Sequence, residues 1–579
     1  MFLDYKVPIP DSPGKIVRKN RGGNTYIEYE YDRSYDATKQ YTYPKRASIG
    51  RLDPDDPTKM TPNENYLKYF GDEELPREHS RDRRSPYLNI GPYVVLHKVV
   101  VDYKLEQLLT KFMSSDDAGL LLDLACYSII SENNAAQYYP DYAYTHPLFT
   151  PDMRMYTDSK VSDLLKELKP ETIIGFLNEW NASRNKKQKV YFSYDSTNKS
   201  CQAGDIDLAE YGKSKVDDGQ PIINYSVACD VENKVPLFYE LYPGSINDVA
   251  QLTCMVDKAK GYGYRNIGFI LDRGYFSRKN LVHIEEQGFS YLIMVKGMKE
   301  FIQEIILKHK GKFENKRAKY IEQYDVYGTQ TDRPLFGDEK KRHVHIYYSD
   351  ARAYSEKSEI KQMIRRLKAY LEAFQGKECT FGGEIQKYFY LHYEDDGKTF
   401  KIAEENTKVI ERELSLAGYF AIISSDNLTA REAIELYKSR DASEKLFRSD
   451  KSYLGNKSMR VASEESLESK TFIQFIALIL RAKIYTCLKD KCISMLKHPN
   501  YMTVPAALKE LEKIVVIRQL DGVYRLDHAV TARQKTILSA FGLNEANVRY
   551  RANEIGKVLK EQNNTAVSQE EEEDGEDET

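Results

Sequence analysis

A chain of 579 residues is too long for one small domain, and with 41% apolar and 30% charged residues it can bury a sizeable core under a well-solvated surface. The formal charge of −3 conceals an asymmetry: eight acids crowd positions 570–578, and without them the rest of the chain carries +5. The body is therefore mildly basic, and residues 568–579 are predicted as an acidic, disordered tail. No run of about 18 uninterrupted apolar residues occurs, so a membrane-spanning helix is not predicted. The most apolar run, 472–480, meets Arg481 and Lys483 and reads as a buried core helix. The opening MFLDYKVPIPDSPGK lacks the basic-then-apolar order of a secretory signal. Seven scattered cysteines without a CxxC pair argue against a disulfide framework or a zinc ribbon, and for a reducing compartment. His343 and His345 form the one close histidine pair; with no cysteine nearby to complete a zinc set, they read as an exposed strand face.

In chain order, residues 1–90 are polar. Two basic, Gly/Pro-punctuated runs, GKIVRKNRGGN (14–24) and PREHSRDRRSP (76–86), predict a basic arm and loop region that either contacts phosphates or is simply solvated. Residues 91–188 show apolar side chains at three- and four-residue spacing, as in YVVLHKVVVDYKLEQLLTKFM, and predict a helical N-terminal domain. At Lys189 the period changes. VYFSYDST (190–197) alternates like a strand, and 221–244 reads as two strands joined by a turn near Glu232 and Asn233. A helix (247–263), a buried strand NIGFILD (266–272), a helix (278–288) and a second buried strand YLIMVK (291–296) follow. Three successive strands and then alternating helix and strand predict an α/β mixed sheet over 189–298, with helices on its faces. Residues 299–415 break the rhythm and are too long for a loop, so they are predicted as an inserted, β-rich subdomain. The sheet pattern resumes at GYFAIISSD and runs through 416–490, and 491–567 reads as a C-terminal helical region.

Three acids stand out by context. Asp195 sits within the strand-like YFSYDST, where a charge is costly unless it is paired or ends the strand at water. Asp272 ends the buried strand FILD, and in such sheets the carboxyl ends of parallel strands face the ligand crevice; capping the RGYFS turn is the alternative. Thr429 and Glu432 fit a capping box that starts a helix near Ala430. Run regularly to Lys451, that helix would place Tyr437, Arg440, Glu444 and Lys451 within an arc of roughly 60°. A surface helix with an i,i+4 ion pair explains Arg440 and Glu444 equally well. Three carboxylates form an economical oxygen cage for two Mg²⁺ ions, which clamp the attacking and leaving oxygens of a phosphodiester displacement. Neighbouring Arg and Lys would hold the phosphates that carboxylates alone repel.

The order YDST, ILDRGY and then Y-x2-R-x3-E-x6-K (YKSRDASEKLFRSDK, 437–451) resembles the bacterial insertion-sequence DDE transposases of the cut-and-paste type with the YREK motif. The resemblance covers about residues 93–490. It implies a ribonuclease-H-like core with an insertion before the last acid, and makes 91–188 a DNA-binding domain. Asp195, Asp272 and Glu444 become the catalytic, metal-binding triad. Tyr437, Arg440 and Lys451 become DNA contacts, with Arg273 of the DRG motif counted beside them. Two Mg²⁺ ions per site (Mn²⁺ substituting), double-stranded DNA with terminal inverted repeats, a target DNA and a homodimer on DNA are implied. So are a cytoplasmic, nucleoid-associated location and no membrane partner. The implied activity is metal-dependent cleavage at the element ends followed by joining of the 3′-OH to target DNA. The alternatives are a ribonuclease-H-like nuclease that does not join strands, and a non-catalytic DNA-binding descendant.

Overall fold

The computed structural model describes all residues except 1–5, 22–23, 37–39, 55, 71–83, 185, 187–188, 204–205, 213–218, 296–299, 336, 442–444, 446–448, 456–457, 520–522 and 577–579. At 36, 64, 248–249, 449 and 561–576 it describes the backbone alone. The chain divides into two compact units, Met1–Ser85 and Pro86–Thr579.

The first unit is not the arm and loops predicted for 1–90. Strands β1 (Val7–Pro8), β2 (Ile16–Arg21), β3 (Asn24–Asp36), β4 (Tyr41–Leu52) and β5 (Lys59–Pro62) form an antiparallel sheet in the order β1-β5-β4-β3-β2. Val7, Ile27, Ile49 and Met60 build its core with Tyr66 of the helix Glu64–Phe70. The alternation was masked because glutamates on the side of β3 opposite Ile27 and Tyr29 are also shielded from solvent. Glu28 and Glu30 are each only 7% exposed, and are held by Arg21 (2.8 Å) and by Arg33 and Arg46 (2.7 and 3.3 Å). The basic run 14–24 is thus mostly strand. Of the run 76–86, residues 76–83 lie outside the described residues.

The second unit opens with β6 (Tyr87–Asn89) and the helices Gly91–Asp102, Ser115–Ser131, Asp158–Glu167 and Pro170–Ala182. Ser114 and Thr157 cap two of them by accepting from the amides of Asp117 and Lys160. The sheet then forms from β7 (Val190–Cys201), β8 (Ile222–Asp230), β9 (Val235–Pro243), β10 (Ile267–Leu271) and β11 (Ser290–Met294). β7, β8 and β9 are a meander of antiparallel neighbours, while β10 and β11 run parallel to β7. β8 and β10 are buried at every residue, as near-continuous apolar runs covered on both faces require.

Only part of 299–415 is an insertion. After β12 (Tyr320–Ile321), β13 (Val326–Pro334) and β14 (Lys341–Tyr348) extend the main sheet. The remainder is mostly helical. The helices Asp350–Glu372, Gly383–Tyr388 and Thr407–Leu416 pack with the hairpin β15 (Phe389–Tyr393) and β16 (Phe400–Glu405). These surround a separate cluster of Ile364, Leu371, Phe381, Tyr388, Phe389 and Phe400. Strand β17 (Tyr419–Ser424) then inserts antiparallel between β11 and β14. His345, predicted on an exposed face, is fully buried on β14, its Nε2 2.8 Å from the Ser424 hydroxyl. His343 pairs with Asp332 at 2.8 Å.

A short β18 (Ser458–Met459) pairs with the end of β7. The helix Glu464–Met495 is long and apolar enough to cross a membrane, but 72% of its apolar window is buried within the fold, where it packs on the N-terminal helices and β9. Finally β19 (Val515–Arg518) pairs with both β6 and β20 (Tyr524–Leu526), so the two ends of this unit share one sheet. The segments predicted as separate helical domains, 91–188 and 491–567, thus share one apolar core with the main sheet. The acidic run predicted as a tail continues the last helix, Glu545–Glu576, as far as its backbone is described.

Candidate active site

Asp195 lies midway along β7, and Asp272 follows the last residue of β10. The parallel register pairs Ile270 with Ser193 and Leu271 with Tyr194, so the next step sets Asp272 beside Asp195. Neighbouring strands are about 4.8 Å apart, and residues level across them face the same side. Residues 77 positions apart in the chain thus present carboxylates together, at the carboxyl end of β10. Asp195 Oδ1 accepts from the Ser196 amide at 2.8 Å. Among the described residues, the Asp272 side chain caps no amide of the turn that follows it, so the capping alternative fails.

Arg440 joins the two. Its Nη1 lies 3.9 Å from Asp195 Oδ2, and its Nη2 3.7 Å from Asp272 Oδ1. The guanidinium is 15% exposed, against 19% and 36% for the carboxylates. At these separations the contacts are ion pairs rather than hydrogen bonds. One cation balances two acids that would otherwise repel each other at the rim of the sheet. The Tyr437 ring lies 5.7 Å from the Arg440 guanidinium carbon and is buried against a cluster that includes Val231, Ile270, Leu292 and Ile422.

The helix that delivers Arg440 begins as predicted. Thr429 and Glu432 form the reciprocal capping box, with Thr429 N–H to Glu432 Oε2 at 2.8 Å. It does not run regularly to Lys451. The helix Ala430–Lys438 ends at Ser439, whose amide reaches the carbonyls of Glu435, Leu436 and Tyr437 and whose hydroxyl bonds back to the Leu436 carbonyl. Serine competes for backbone partners in this way, and that local bonding accompanies the end of the helix. Arg440 therefore projects from a turn, before residue 441, which is again helical. Glu444 lies outside the described residues. Lys451 lies on a π-helical turn, Ser449–Tyr453.

Two sets of positioning residues were not singled out in the sequence. The buried Tyr275 hydroxyl donates to Ser196 Oγ at 3.0 Å, tying the residue after Asp195 to the turn after Asp272. Both lie inside the quoted motifs, which was the available signal. Asp450, beside Lys451, is fully buried and pairs with the equally buried Lys199 of β7 at 3.0 Å. Lys199 also donates to Gln474 Oε1 at 3.1 Å, and its ammonium stands 4.3 Å from the Tyr225 ring. Burial pulls the Lys199 pKa below that of a free lysine, against the pull of Asp450. Nothing in sequence spacing pairs positions 251 apart. Arg273 is exposed and lines a cleft of about 630 Å³ together with Arg352, Lys387, Glu356, Tyr388 and Phe420.

As a donor set, Asp195 and Asp272 suit a hard divalent cation: two convergent carboxylates, both partly open to solvent. Among the described residues no group of three or more His, Cys, Asp or Glu side chains comes together to hold a metal.

Residues 192–480 match the family model described as a transposase DDE domain. No curated protein matches the chain. Among solved structures, a piggyBac transposase synaptic complex with hairpin DNA is similar over 79% of either chain, at 9% identity and a TM-score of 0.34. A Mos1 transposase paired-end complex with left transposon end is similar over 23% of this chain and 50% of that one, at 15% identity and a TM-score of 0.13. The matched segment, 192–480, is thus similar to a transposase DDE domain, and it carries Asp195, Asp272 and Arg440.

Proposed function

We propose that the protein is a cut-and-paste DNA transposase that binds terminal inverted repeats, cleaves the element ends and joins the freed 3′-OH to target DNA. The observation that carries this reading is the convergence of Asp195 and Asp272 on one guanidinium, from strands far apart in the chain. The meander β7-β8-β9 followed by parallel β10 and β11 supports a ribonuclease-H-like core. In this reading Asp195, Asp272 and Glu444 hold two divalent cations, Mg²⁺ or Mn²⁺. When bound, these supply charge to polarise the phosphate and to activate the attacking water.

The chain's own groups do the rest by positioning and charge. Asp195 and Asp272 gather negative charge at one end of the sheet. Arg440 neutralises them in the absence of DNA and turns to a phosphate oxygen when DNA arrives. Tyr437 packs under Arg440 and sets its approach. The ion pair of Asp450 with Lys199 fixes the turn that presents Lys451 to the DNA backbone. Arg273 extends the basic contact surface toward the cleft it lines. No covalent enzyme intermediate is required. A homodimer pairing two ends, in the cytoplasm and nucleoid of a bacterium, completes the reading.

The test is Asp272→Asn with element-end DNA. Cleavage should fall by at least about a thousandfold while DNA binding survives; strand cutting at the wild-type rate would reject the assignment. Supplying pre-cut ends then separates a transposase, which yields joined product, from a nuclease that only cuts.

A further inference from the structure

Between the helices Ser115–Ser131 and Asp158–Glu167 and the start of the helix Glu464–Met495 lies a cavity of about 370 Å³. Its size falls at the small end of ligand pockets, which span ~300–1,000 Å³. Lys470 and Gln474, one turn apart on the long helix, line it, with Arg460 beside them. Lys470 is 6% exposed and Gln474 1%. The Lys470 ammonium makes one long bond, 3.4 Å, to the Arg460 carbonyl, and among the described residues no acid pairs with it. Burial, with Arg460 and Lys199 nearby, brings its pKa down to about 8.

Gln474 is oriented from behind. Lys199 can only donate, so the amide oxygen must face it, and it does so at 3.1 Å. The Gln474 Nε2 group is thereby turned away from Lys199, and it finds no acceptor among the described residues. The hydroxyls of Tyr127 and Ser128, also in the wall, donate to the carbonyls of Ala135 and Leu124. The acid of the lining is Asp158, exposed at the first residue of its helix. The buried Lys470 and the Arg460 side chain thus line one space, and the cost of burying an ammonium without an acid beside it is recovered when an oxyanion with several acceptor oxygens fills that space.

We infer that this cavity is a phosphate-binding site, filled by the phosphate group of a DNA backbone or by a free phosphate. The inference does not rest on the transposase reading, since none of the residues lining the cavity belongs to the Asp195 and Asp272 site. The probes are inorganic phosphate, titrated calorimetrically into the full chain, and a random-sequence duplex bound across a salt series. Each is applied to wild type, Lys470→Met and Arg460→Ala. Arg460 is exposed, so its variant keeps the experiment decisive should Lys470→Met fail to fold.

If a free phosphate is the occupant, its affinity falls roughly tenfold in each variant. If a backbone phosphate is the occupant, duplex affinity falls instead, and the slope of log K against log salt shrinks by about one. Phosphate affinity and duplex salt slope both unchanged from wild type in the folded variants would overturn the inference, as would wild-type protein that binds neither probe. DNA cleavage by Asp272→Asn plays no part in this readout, so failure here and failure of the transposase reading are distinguishable.

Discussion

A guanidinium between two carboxylates occupies the ground that a divalent cation would take. Arg440 contacts both Asp195 and Asp272 within 3.9 Å, so cation binding must displace it or share the charge. Arg440→Met should therefore make the protein more responsive to Mg²⁺. With a cation affinity roughly tenfold higher, saturating Mg²⁺ would add about 1.4 kcal/mol more stability to the variant than to wild type. Thermal melts with and without Mg²⁺ measure it, and equal shifts in the two proteins would refute the competition. A second residue-scale outcome concerns pH. Burial lowers His345 to about 4, against 6.5 for a free histidine. The folded state then binds fewer protons than the unfolded one between those values, so stability is lost as pH falls from about 6.5 toward 4. The full shift corresponds to about 3 kcal/mol at most. His345→Asn should flatten that part of the stability curve, as read by urea midpoints across the range; an unchanged slope would assign acid sensitivity to other groups, such as His97, which burial also lowers to about 4.

At the scale of elements, the turn Ser449–Tyr453 is fastened to β7 by a fully buried ion pair, Lys199 with Asp450. Breaking one partner leaves the other charge buried and alone, which typically costs 3–5 kcal/mol, whereas replacing both with apolar groups is often close to neutral. Lys199→Met alone should therefore cost about 4 kcal/mol, and adding Asp450→Leu should restore most of it. Urea unfolding of the two single variants and the double variant closes the cycle, and a double variant no more stable than the worse single one would show that the pair does not act as a unit. Elements were legible in the sequence where the physics is local. The buried strands β10 and β11 follow from apolar runs between turn signals, and the start of the helix at Ala430 from its capping box. Its stop at Ser439 was not legible, because a serine hydroxyl turned onto Leu436 competes with a helical pattern that continues past it. Likewise Asp195 and Asp272 could be named from context, but Lys199, Asp450 and Gln474 could not, since their pairing exists only once β7 and the long helix have packed.

At the scale of the whole chain, the longest-range features were the least legible. The first sheet escaped notice because Glu28 and Glu30 make the side of β3 opposite Ile27 and Tyr29 look merely solvated, whereas ion pairs with Arg21, Arg33 and Arg46 shield them. The β13 and β14 strands looked like part of an insertion because their sheet partner, β17, comes more than seventy residues later in the chain. The same long-range pairing sets the unit boundary. Val7, Ile27, Ile49, Met60 and Tyr66 form a core entirely within the first unit, whereas Leu88 and Ile90, both fully buried, belong to the core of the second. β6 pairs with β19 through Leu88 and Val516, and the Ile90 amide donates to the Ile514 carbonyl at 2.9 Å. Residues 86–579 should therefore fold alone, with a urea midpoint close to that of the same transition in the full chain. Starting instead at Gly91 removes one strand of a three-stranded sheet and two buried apolar side chains. At ~1.5–3 kcal/mol for each side chain, that cut should cost about 5 kcal/mol before the lost ladder hydrogen bonds are counted. Parallel urea titrations of the two truncations decide the matter. Equal midpoints would mean that β6 is dispensable, and failure of 86–579 to fold would mean that the first 85 residues contribute to the core of the second unit.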